Sequence, residues 1–337
     1  MAAVWSVACG PRPRTQPAAP QPPTAREATS RAAVERLITE SGADVAVAFR
    51  TLDGPAGAPP RLELLIQPDV EYHAASTMKV PVMIELFRQA RAGLVRLDEP
   101  LAVKNEFASI VDGSPYTLSM GDDSDAEVYK RVGQTMTLLE LCEPMITVSS
   151  NFATNLLIQR LGAPNVQRTV DGMGAGGMIV RRGVEDSKAF AKGLNNSTTA
   201  RALLVLMERI ARLDAVDADA SRQMIEILKR QHFNDAIPAG LPPGTPVAHK
   251  TGSITKVHHD AAIVLAPRPF VLVVLTRGIE DLKQSAALMA RIARLLYDEA
   301  EASSSPPGPA LAWVAEAPGW SPQASACVSR SDPRPPK

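Results

Sequence analysis

The chain has 337 residues, and its 36 Lys and Arg residues balance its 36 Asp and Glu residues. A formal net charge of zero excludes a strongly basic nucleic-acid binder and an acidic disordered chain. Apolar residues make up 45% of the chain and charged residues 21%, which is the composition of a globular protein. No apolar stretch approaches the roughly 20 residues that span a bilayer, so we expect no transmembrane segment.

The two ends of the chain are rich in proline. Residues 1–30 hold six of the 29 prolines and residues 304–337 hold eight. Such segments cannot hold a helix and offer little apolar surface for a core. We therefore predict disordered ends, 1–30 and 303–337, around one folded unit at 32–302.

The cysteines carry little structural information. Cys9, Cys142 and Cys327 are too few and too scattered for a disulfide framework or a four-ligand zinc site. The sequence Ser6-Val-Ala-Cys9 resembles a bacterial lipoprotein cleavage site, which would make Cys9 a lipid anchor. The apolar stretch before it is short and lacks a basic start, so a chance match is the open alternative.

Apolar periodicity predicts the secondary structure in chain order. A helix is expected at 31–41, followed by strands at 44–52 and 62–66 and by a helix at 76–92. The later predicted elements are helical patterns to about residue 217, interrupted at 171–177 and 181–196, a helix at 221–231, strands at 247–251, 261–266 and 270–277, and a closing helix at 282–300.

Strands near both ends with helices between them predict an α/β (α+β) architecture. Residues 32–75 and 218–302 would form a sheet-containing lobe completed by both termini. Residues 76–217 would form a helical lobe inserted into it.

Ser76-Thr-Met-Lys79 begins the first long predicted helix. Residues three apart lie on one face of a helix, so the Lys79 ammonium can approach the Ser76 hydroxyl. A serine hydroxyl becomes a nucleophile when a base takes its proton, and a desolvated lysine can be that base. The same spacing recurs in Ser253-Ile-Thr-Lys256, but β-branched residues after a strand do not favour a shared helical face.

Ser149-Ser150-Asn151 precedes a helical stretch. Ser and Asn are preferred helix caps, which favours a structural role. In a functional interpretation, Ser149 relays a proton and the Asn151 amide points at a substrate carbonyl. The two interpretations can hold together.

Lys250-Thr-Gly-Ser253 ends a predicted strand. A strand end with turn residues explains it structurally, because Gly weakens a strand interior. In a functional interpretation, Gly252 lets a substrate lie close to the strand edge. Thr251 and Ser253 would offer hydroxyls to an anion, and Lys250 a positive charge.

The motifs occur in the order Ser-x-x-Lys, Ser-x-Asn, Lys-Thr-Gly, at a helix start, a helix junction and a strand. In this order they resemble the signature of class A serine β-lactamases and their relatives, the penicillin-binding proteins. Residues 145–162, 196–200 and 249–253 also resemble class A sequence, and the similarity extends over about 32–300. The resemblance implies a serine β-lactamase/transpeptidase-like fold, in which helices flank an antiparallel sheet and an all-helical lobe is inserted.

The resemblance also implies roles for the motif residues. Ser76 is the acyl-accepting nucleophile, and Lys79 is its proton acceptor, directly or through water. Ser149, supported by Lys250, passes a proton to the departing lactam nitrogen. Backbone N–H groups of Ser76 and Ser253 form the oxyanion hole. The implied substrate-binding residues are Asn151 for a side-chain amide, Thr251 and Ser253 for a carboxylate, and Gly252 at the strand edge.

Hydrolysis of an acyl-enzyme needs one more group, which in class A enzymes is a glutamate on an omega loop. Glu185 is the only glutamate between Asn151 and Glu208, and it lies in the corresponding segment, 182–186. The structural alternative is a surface carboxylate paired with Arg181 or Arg182.

The sequence departs from the class A pattern in this region. Ala189 stands where an asparagine usually shares the hydrolytic water, and Asn195 or Asn196 could substitute for it. Ser150 stands where aspartate is usual, which we expect to loosen the local scaffold. The basic residue that often binds the substrate carboxylate has three candidates: Lys256, His258 and Arg277.

The acylation machinery is thus complete, whereas the deacylation machinery is altered. We predict a β-lactamase that opens the β-lactam ring through a Ser76 acyl-enzyme and then hydrolyses that ester. The alternative is a D-alanyl-D-alanine carboxypeptidase, or a penicillin-binding-type acyl hydrolase with slow deacylation. A catalytically silent binding protein is a third possibility, but its hallmark would be loss of the motif serine, lysines or glycine, and all are present.

No cofactor or metal is expected. His258-His-Asp260 resembles a ligand cluster, but adjacent strand residues point to opposite faces, which favours a structural role. The glycines at 171–177 are not followed by the Gly-Lys-Ser/Thr of a phosphate-binding loop. We expect a monomer that acts on a β-lactam or a peptidoglycan-like acyl substrate and binds no nucleic acid. Such substrates lie outside the cytoplasmic membrane, so we expect a periplasmic or extracellular protein.

Overall fold

The computed structural model describes residues 25–52 and 62–302. The predicted disordered ends and the lipid-anchor candidate Cys9 lie outside the described residues, except that residues 25–30 are helical. The elements are α1 (Ala25–Ser41), β1 (Asp44–Thr51), β2 (Glu63–Ile66), β3 (Tyr72–His73), α2 (Lys79–Arg91), β4 (Pro100–Ala102), β5 (Phe107–Ala108), β6 (Pro115–Tyr116), β7 (Thr135–Thr137), α3 (Leu138–Thr147), α4 (Asn151–Leu161), α5 (Ala163–Gly172), α6 (Ser187–Ala191), β8 (Ser197–Thr198), α7 (Ala200–Ala211), α8 (Ala218–Lys229), β9 (Val247–Ile254), β10 (Val257–Val264), β11 (Phe270–Arg277) and α9 (Leu282–Ala302).

The main sheet contains strands from both ends of the described chain. Its order is β2-β1-β11-β10-β9, and every neighbouring pair is antiparallel. The central strand β11 is buried along its length except at Arg277. A strand covered on both faces carries a continuous apolar run, which is why Phe270–Leu275 could be predicted from sequence.

Each face of the sheet packs against helices. Val45, Val47 and Phe49 of β1 belong to a core that also contains apolar side chains of α1 and α9. The alternate residues Ala46 and Ala48 belong to the other core, with α2, α3, α4 and α7. This alternation follows from the period of two along a strand.

The inserted region between β3 and α8 consists mainly of helices, with α2 buried on nearly all sides. It also contains short strand pairs, β3–β8, β4–β7 and β5–β6, that the sequence pattern did not predict. The predicted helix 76–92 begins differently as well. Residues 75–78 form a 3₁₀ turn, and α2 starts at Lys79.

The histidines of β10 have structural partners, as the strand pattern predicted. The Nδ1 atom of His258 lies 2.7 Å from the Ser285 hydroxyl, and the Nε2 atom of His259 lies 2.9 Å from the His73 carbonyl oxygen. Asp260 bonds to the ring of His249 at 2.9 Å. In residues 25–52 and 62–302, no group of three or more His, Cys, Asp and Glu side chains is arranged to hold a metal ion.

Across the same described ranges, none of the helices combines the length and the apolar character that a membrane crossing requires.

Candidate active site

Three segments that are far apart in sequence meet at one hydroxyl, the Oγ atom of Ser149. The Nζ atom of Lys79, at the start of α2, lies 3.2 Å from it. The Nζ atom of Lys250, in β9, lies 3.0 Å from it. Both lysines are fully buried, and Ser76, three residues before Lys79, is half-buried. The structure therefore brings the three motifs of the sequence together.

Lys79 is bound to the Ser149–Asn151 junction. Its Nζ atom donates to the Ser149 carbonyl oxygen at 2.5 Å and to Asn151 Oδ1 at 2.8 Å, in addition to Ser149 Oγ. These three acceptors use all three N–H groups of an ammonium. The spacing suggested that Lys79 approaches Ser76 directly. Among the described residues, no hydrogen bond joins the Lys79 amine to the Ser76 hydroxyl.

Burial lowers the pKa of Lys79 to about 7, because the charged ammonium loses its hydration. The carboxylates of Asp123 and Glu185 act in the opposite direction and favour the ammonium. A substantial fraction of Lys79 is therefore a neutral amine near pH 7, and it can accept a proton there.

Lys250 also donates to the Thr251 carbonyl oxygen, at 2.8 Å. Burial lowers the pKa of Lys250 well below its usual value, and the positive charge of Lys79 lowers it further, whereas Asp260 opposes this shift. Two buried ammonium groups beside one hydroxyl repel each other. This repulsion favours the loss of a proton from the pair.

Gly252 brings strand β9 against the start of the Ser76 turn. A Cβ atom at this position would lie 2.9 Å from the Ser76 backbone nitrogen and 3.0 Å from that of Thr77. No side chain fits at such distances, so a glycine is required for the close approach. The adjacent residue, Ser253, is exposed, and Thr251 is buried.

The turn that carries Ser76 is itself constrained. Ala75 has a left-handed φ of 46°, which costs an alanine of the order of 1 kcal/mol. Its N–H donates to the His73 ring at 3.0 Å, which helps to fix the turn. The serine therefore precedes the helix in a defined conformation rather than lying within it.

Helix α4 begins at the second motif. Ser150 is its N-cap, and its hydroxyl accepts the Ala153 N–H at 3.3 Å. Ser149 lies just outside the helix with a left-handed φ of 62°. The capping interpretation therefore applies to Ser150, while the side chains of Ser149 and Asn151 contact the lysines.

Asp123, which was not selected from the sequence, supports the same junction. One carboxylate oxygen accepts the Asn151 N–H and the other accepts the Phe152 N–H, both at 2.9 Å. The Tyr129 hydroxyl donates to it at 3.2 Å. A carboxylate is stabilised at a helix N-terminus by the unpaired N–H groups. The expectation that Ser150 loosens the scaffold stays a prediction, although another loop supplies a carboxylate here.

Glu185 lies beside Asn151, whose Nδ2 atom donates to its carboxylate at 3.2 Å. The glutamate side chain is exposed, and its backbone has a left-handed φ of 60°. The Arg182 guanidinium donates to Leu194, Gly183 and Asn195 instead. Glu185 therefore contacts the catalytic-motif asparagine and not the arginine of the structural alternative.

Asn155 of α4, also unselected from the sequence, holds the residue before Glu185. Its side chain accepts the Val184 N–H at 2.6 Å and donates to the Val184 carbonyl oxygen at 3.0 Å. A Cβ atom on Gly183 would lie 2.3 Å from Asn155 Oδ1, so this contact also requires glycine. Asn151 and Asn155 are one helical turn apart, so one face of α4 contacts both the glutamate and its loop.

The model of the beta-lactamase enzyme family matches residues 29–300. The chain belongs to the beta-lactamase enzyme family. A β-lactamase of Bacillus licheniformis is 28% identical over 244 residues, which cover 68% of this chain and 72% of the relative.

Solved structures agree with this family. A mutant of PBP-A in an acyl-enzyme complex with penicillin G is 26% identical, with 82% of this chain and 97% of that one covered at a TM-score of 0.68. A β-lactamase of Sphaerobacter thermophilus, 22% identical, shares the fold over 84% of this chain and 98% of its own at a TM-score of 0.66. The predicted antiparallel sheet with flanking helices is thereby confirmed.

The two asparagines that follow α6, Asn195 and Asn196, both bind within the loop of Glu185. Asn196 binds the Arg181 and Arg182 backbone N–H groups and the Arg182 carbonyl oxygen, and Asn195 binds the Arg182 guanidinium. Both side chains help to close the loop, and their substitution for the asparagine that usually lies beside the glutamate stays a prediction. Ala189 is fully buried, and its side chain has no polar atom.

The candidates for a carboxylate-binding cation have other partners. Arg277 binds the Asp44 carboxylate and stacks 4.6 Å from the Tyr72 ring centroid. Lys256 lies in the β9–β10 turn, 3.6 Å from Glu280, and so does not share a helical face with Ser253. His258 is buried against Ser285, and burial lowers its pKa, which favours the neutral ring.

Proposed function

We propose that this member of the beta-lactamase enzyme family hydrolyses a β-lactam through an acyl-enzyme on Ser76. The observation that carries the proposal is the convergence of Lys250 and of Lys79, three residues after this serine, on the Ser149 hydroxyl. Two buried cations at one hydroxyl are costly for stability, which favours a chemical reason for their presence.

In the first half-reaction, Lys79 takes the Ser76 proton, directly or through water, and the Ser76 oxygen attacks the lactam carbonyl carbon. Backbone N–H groups of Ser76 and Ser253 stabilise the resulting oxyanion, and each such donor is worth ~3–4 kcal/mol in the transition state. The carbon–nitrogen bond then breaks. The nitrogen takes the proton of Ser149, which is reprotonated from the adjacent lysines.

In the second half-reaction, Glu185 takes a proton from water, and the water oxygen attacks the ester carbonyl of the acyl-enzyme. The bond to the Ser76 oxygen breaks, and that oxygen takes the proton held by Glu185, which regenerates the serine hydroxyl and the carboxylate. The contact between Asn151 and Glu185 supports this role, because it holds the carboxylate next to the acylation site.

The substrate lies between β9 and α4 in this proposal. Asn151 binds the amide of the substrate side chain, and Thr251 with Ser253 binds its carboxylate. Gly252 keeps the strand edge close to the Ser76 amide. The buried lysines add the positive charge that an anionic substrate requires.

A penicillin-binding-type acyl hydrolase with slow deacylation is the second candidate. Two observations favour it: the likeness to PBP-A, and the absence of a polar side chain at buried Ala189, four residues after Glu185. Both candidates form the same ester on Ser76 and differ in how fast water removes it.

The deciding experiment measures nitrocefin turnover by the wild type and by two variants, each with a matched control. Ser76→Ala abolishes turnover, whereas Ser41→Ala on α1, beyond the opposite face of the sheet, does not. Glu185→Gln slows turnover by at least about a hundredfold and accumulates acyl-enzyme, because the water loses its base. Glu40→Gln on α1 is the matched control. A wild type that already traps a stoichiometric ester, unchanged by Glu185→Gln, would decide for the second candidate.

We also propose that the protein acts outside the cytoplasmic membrane, because β-lactams and peptidoglycan precursors are encountered there. We propose that it acts as a monomer. More specifically, we propose that the protein is retained in the periplasm and that a lipid attached to Cys9 anchors it. Labelling with a radioactive lipid precursor tests the anchor.

A further inference from the structure

The hairpin formed by β5 and β6 binds the loop that carries Glu185. Its contact is the side chain of Asp186, the next residue along the chain. One Asp186 oxygen accepts the Ser109 hydroxyl at 2.9 Å, and the other accepts the Ile110 N–H at 2.9 Å. Both donors belong to the hairpin, so its backbone and a side chain hold the residue beside the glutamate.

Asp186 is a buried anchor rather than a surface carboxylate. It is only 2% exposed, and it also caps α6 through the Ala189 N–H at 3.0 Å. Burial alone would raise its pKa, but hydrogen bonds from Ala189, Ile110 and Ser109 outweigh burial and hold the pKa of Asp186 below its usual value. The carboxylate is therefore charged at neutral pH, and its hydrogen bonds are of the strong, charge-assisted kind.

The hairpin is anchored in turn to α4. The Phe107 ring packs edge-on against the Phe152 ring with 6.1 Å between centroids. The Tyr116 hydroxyl donates to the Val184 carbonyl oxygen at 3.3 Å. Phe152 directly follows Asn151, which contacts Glu185. The hairpin therefore contacts α4, the helix that touches the Glu185 side chain. It also contacts Val184 and Asp186, the residues on either side of Glu185.

Glu185 needs such support because of its backbone. Its φ of 60° is left-handed, a conformation that a glutamate leaves unless its neighbours are fixed. Asn155 fixes Val184 on one side, and Asp186 is fixed by the hairpin on the other. Loss of either restraint lets the glutamate relax away from Asn151.

We infer that the β5–β6 hairpin is a brace that positions Glu185 for hydrolysis of the acyl-enzyme, with Asp186 as its positioning residue. The inference rests on the proposed function. It concerns chiefly the second half-reaction, since the described hydrogen bonds of Lys79 and Lys250 join α2, the Ser149–Asn151 junction and β9 without involving the hairpin.

The test measures formation and loss of the penicillin G ester on Ser76 by quenched-flow mass spectrometry. Asp186→Ala slows loss of the ester by at least about tenfold and leaves its formation within about threefold of wild type. Ser109→Ala removes one hydrogen bond and has a smaller effect on the same step. If Asp186→Ala does not fold, Ser109→Ala alone tests whether the hairpin affects loss of the ester. Asp217→Ala, which removes the cap of α8 far from the hairpin, keeps both rates.

A double variant separates positioning from general stability. If Asp186 acts through Glu185, then Asp186→Ala adds almost nothing to the slow ester loss of Glu185→Gln, because coupled residues are not additive. The brace would be overturned if Asp186→Ala slowed formation and hydrolysis of the ester equally, or if Ser109→Ala left the rate of ester hydrolysis unchanged. Full additivity of the two effects in the double variant would overturn it as well. A wild type that never forms an ester on Ser76 would instead overturn the proposed function.

Discussion

At the scale of single residues, the site is organised around the Ser149 hydroxyl. Lys79 and Lys250 contact it from two sides, and neither is solvated. Burial of an ammonium group costs several kcal/mol unless polar groups compensate, and here the acceptors come from the Ser149–Asn151 junction. The same burial that destabilises the charged lysine makes it a base at neutral pH.

The pH dependence of acylation follows from Lys79. Its pKa is lowered to about 7, so protonation below that pH removes the proton acceptor. We expect the second-order rate constant for acylation to rise with pH through about 7 and then level off. Stopped-flow measurements of ester formation from pH 5.5 to 9 check this, and a flat profile would contradict it.

The cause of this pKa can be tested separately. Asp123→Asn removes a negative charge that favours the Lys79 ammonium, so the pKa falls and the acid limb moves to lower pH. Asp98→Asn, on the exposed surface, leaves the limb in place. A limb that stays fixed in Asp123→Asn would mean that the group titrating there is not Lys79.

The motif residues could be predicted because their chemistry is local in sequence. Asp123 and Asn155 could not be, since their roles come from contacts with residues 28 and 29 positions away in the chain. The inference from spacing, that the Lys79 ammonium can approach the Ser76 hydroxyl, did not anticipate the acceptors of the Ser149–Asn151 junction for the same reason. A tertiary hydrogen bond leaves no periodic signal.

At the scale of elements, β9 must lie directly against the turn of Ser76. Gly252→Ala would place a Cβ atom 2.9 Å from the Ser76 nitrogen and so push strand and turn apart. The Ser76 and Ser253 N–H groups would lose their alignment, and we expect acylation to slow by about a hundredfold. Rapid-quench acylation rates measure this.

Gly172→Ala is the matched control, because a Cβ atom there meets nothing within 4 Å. It should preserve acylation and raise stability slightly, since alanine favours a helix more than glycine does. Wild-type acylation rates in Gly252→Ala would show that the close approach of β9 has no catalytic role.

Element boundaries could be predicted best where burial is continuous. The strand at 270–277 was predicted with its observed limits, because every residue from Phe270 to Thr276 is buried. The start of α1 was placed too late, since the large apolar residues of that helix begin only at Val34 whereas the helix begins at Ala25. The strand pair β5–β6 was missed because two-residue strands carry no usable period.

At the scale of the whole molecule, the sheet joins strands from both ends of the described chain, and the inserted region brings Ser149 within hydrogen-bond distance of Lys250 in the edge strand β9. The fold class could be predicted because strands at both ends with helices between them admit few arrangements. The lobe boundaries at 75 and 217 remain predictions, since packing between the two parts is continuous through one apolar core.

The intact mass of the protein during exposure to penicillin G tests the central claim most directly. We predict that the mass rises by one penicillin within seconds, with the adduct on Ser76 in a peptide map, and returns to its starting value within about an hour, as expected when hydrolysis turns over the ester. An unchanged mass would contradict acylation at Ser76, and a persistent adduct would contradict the β-lactamase assignment.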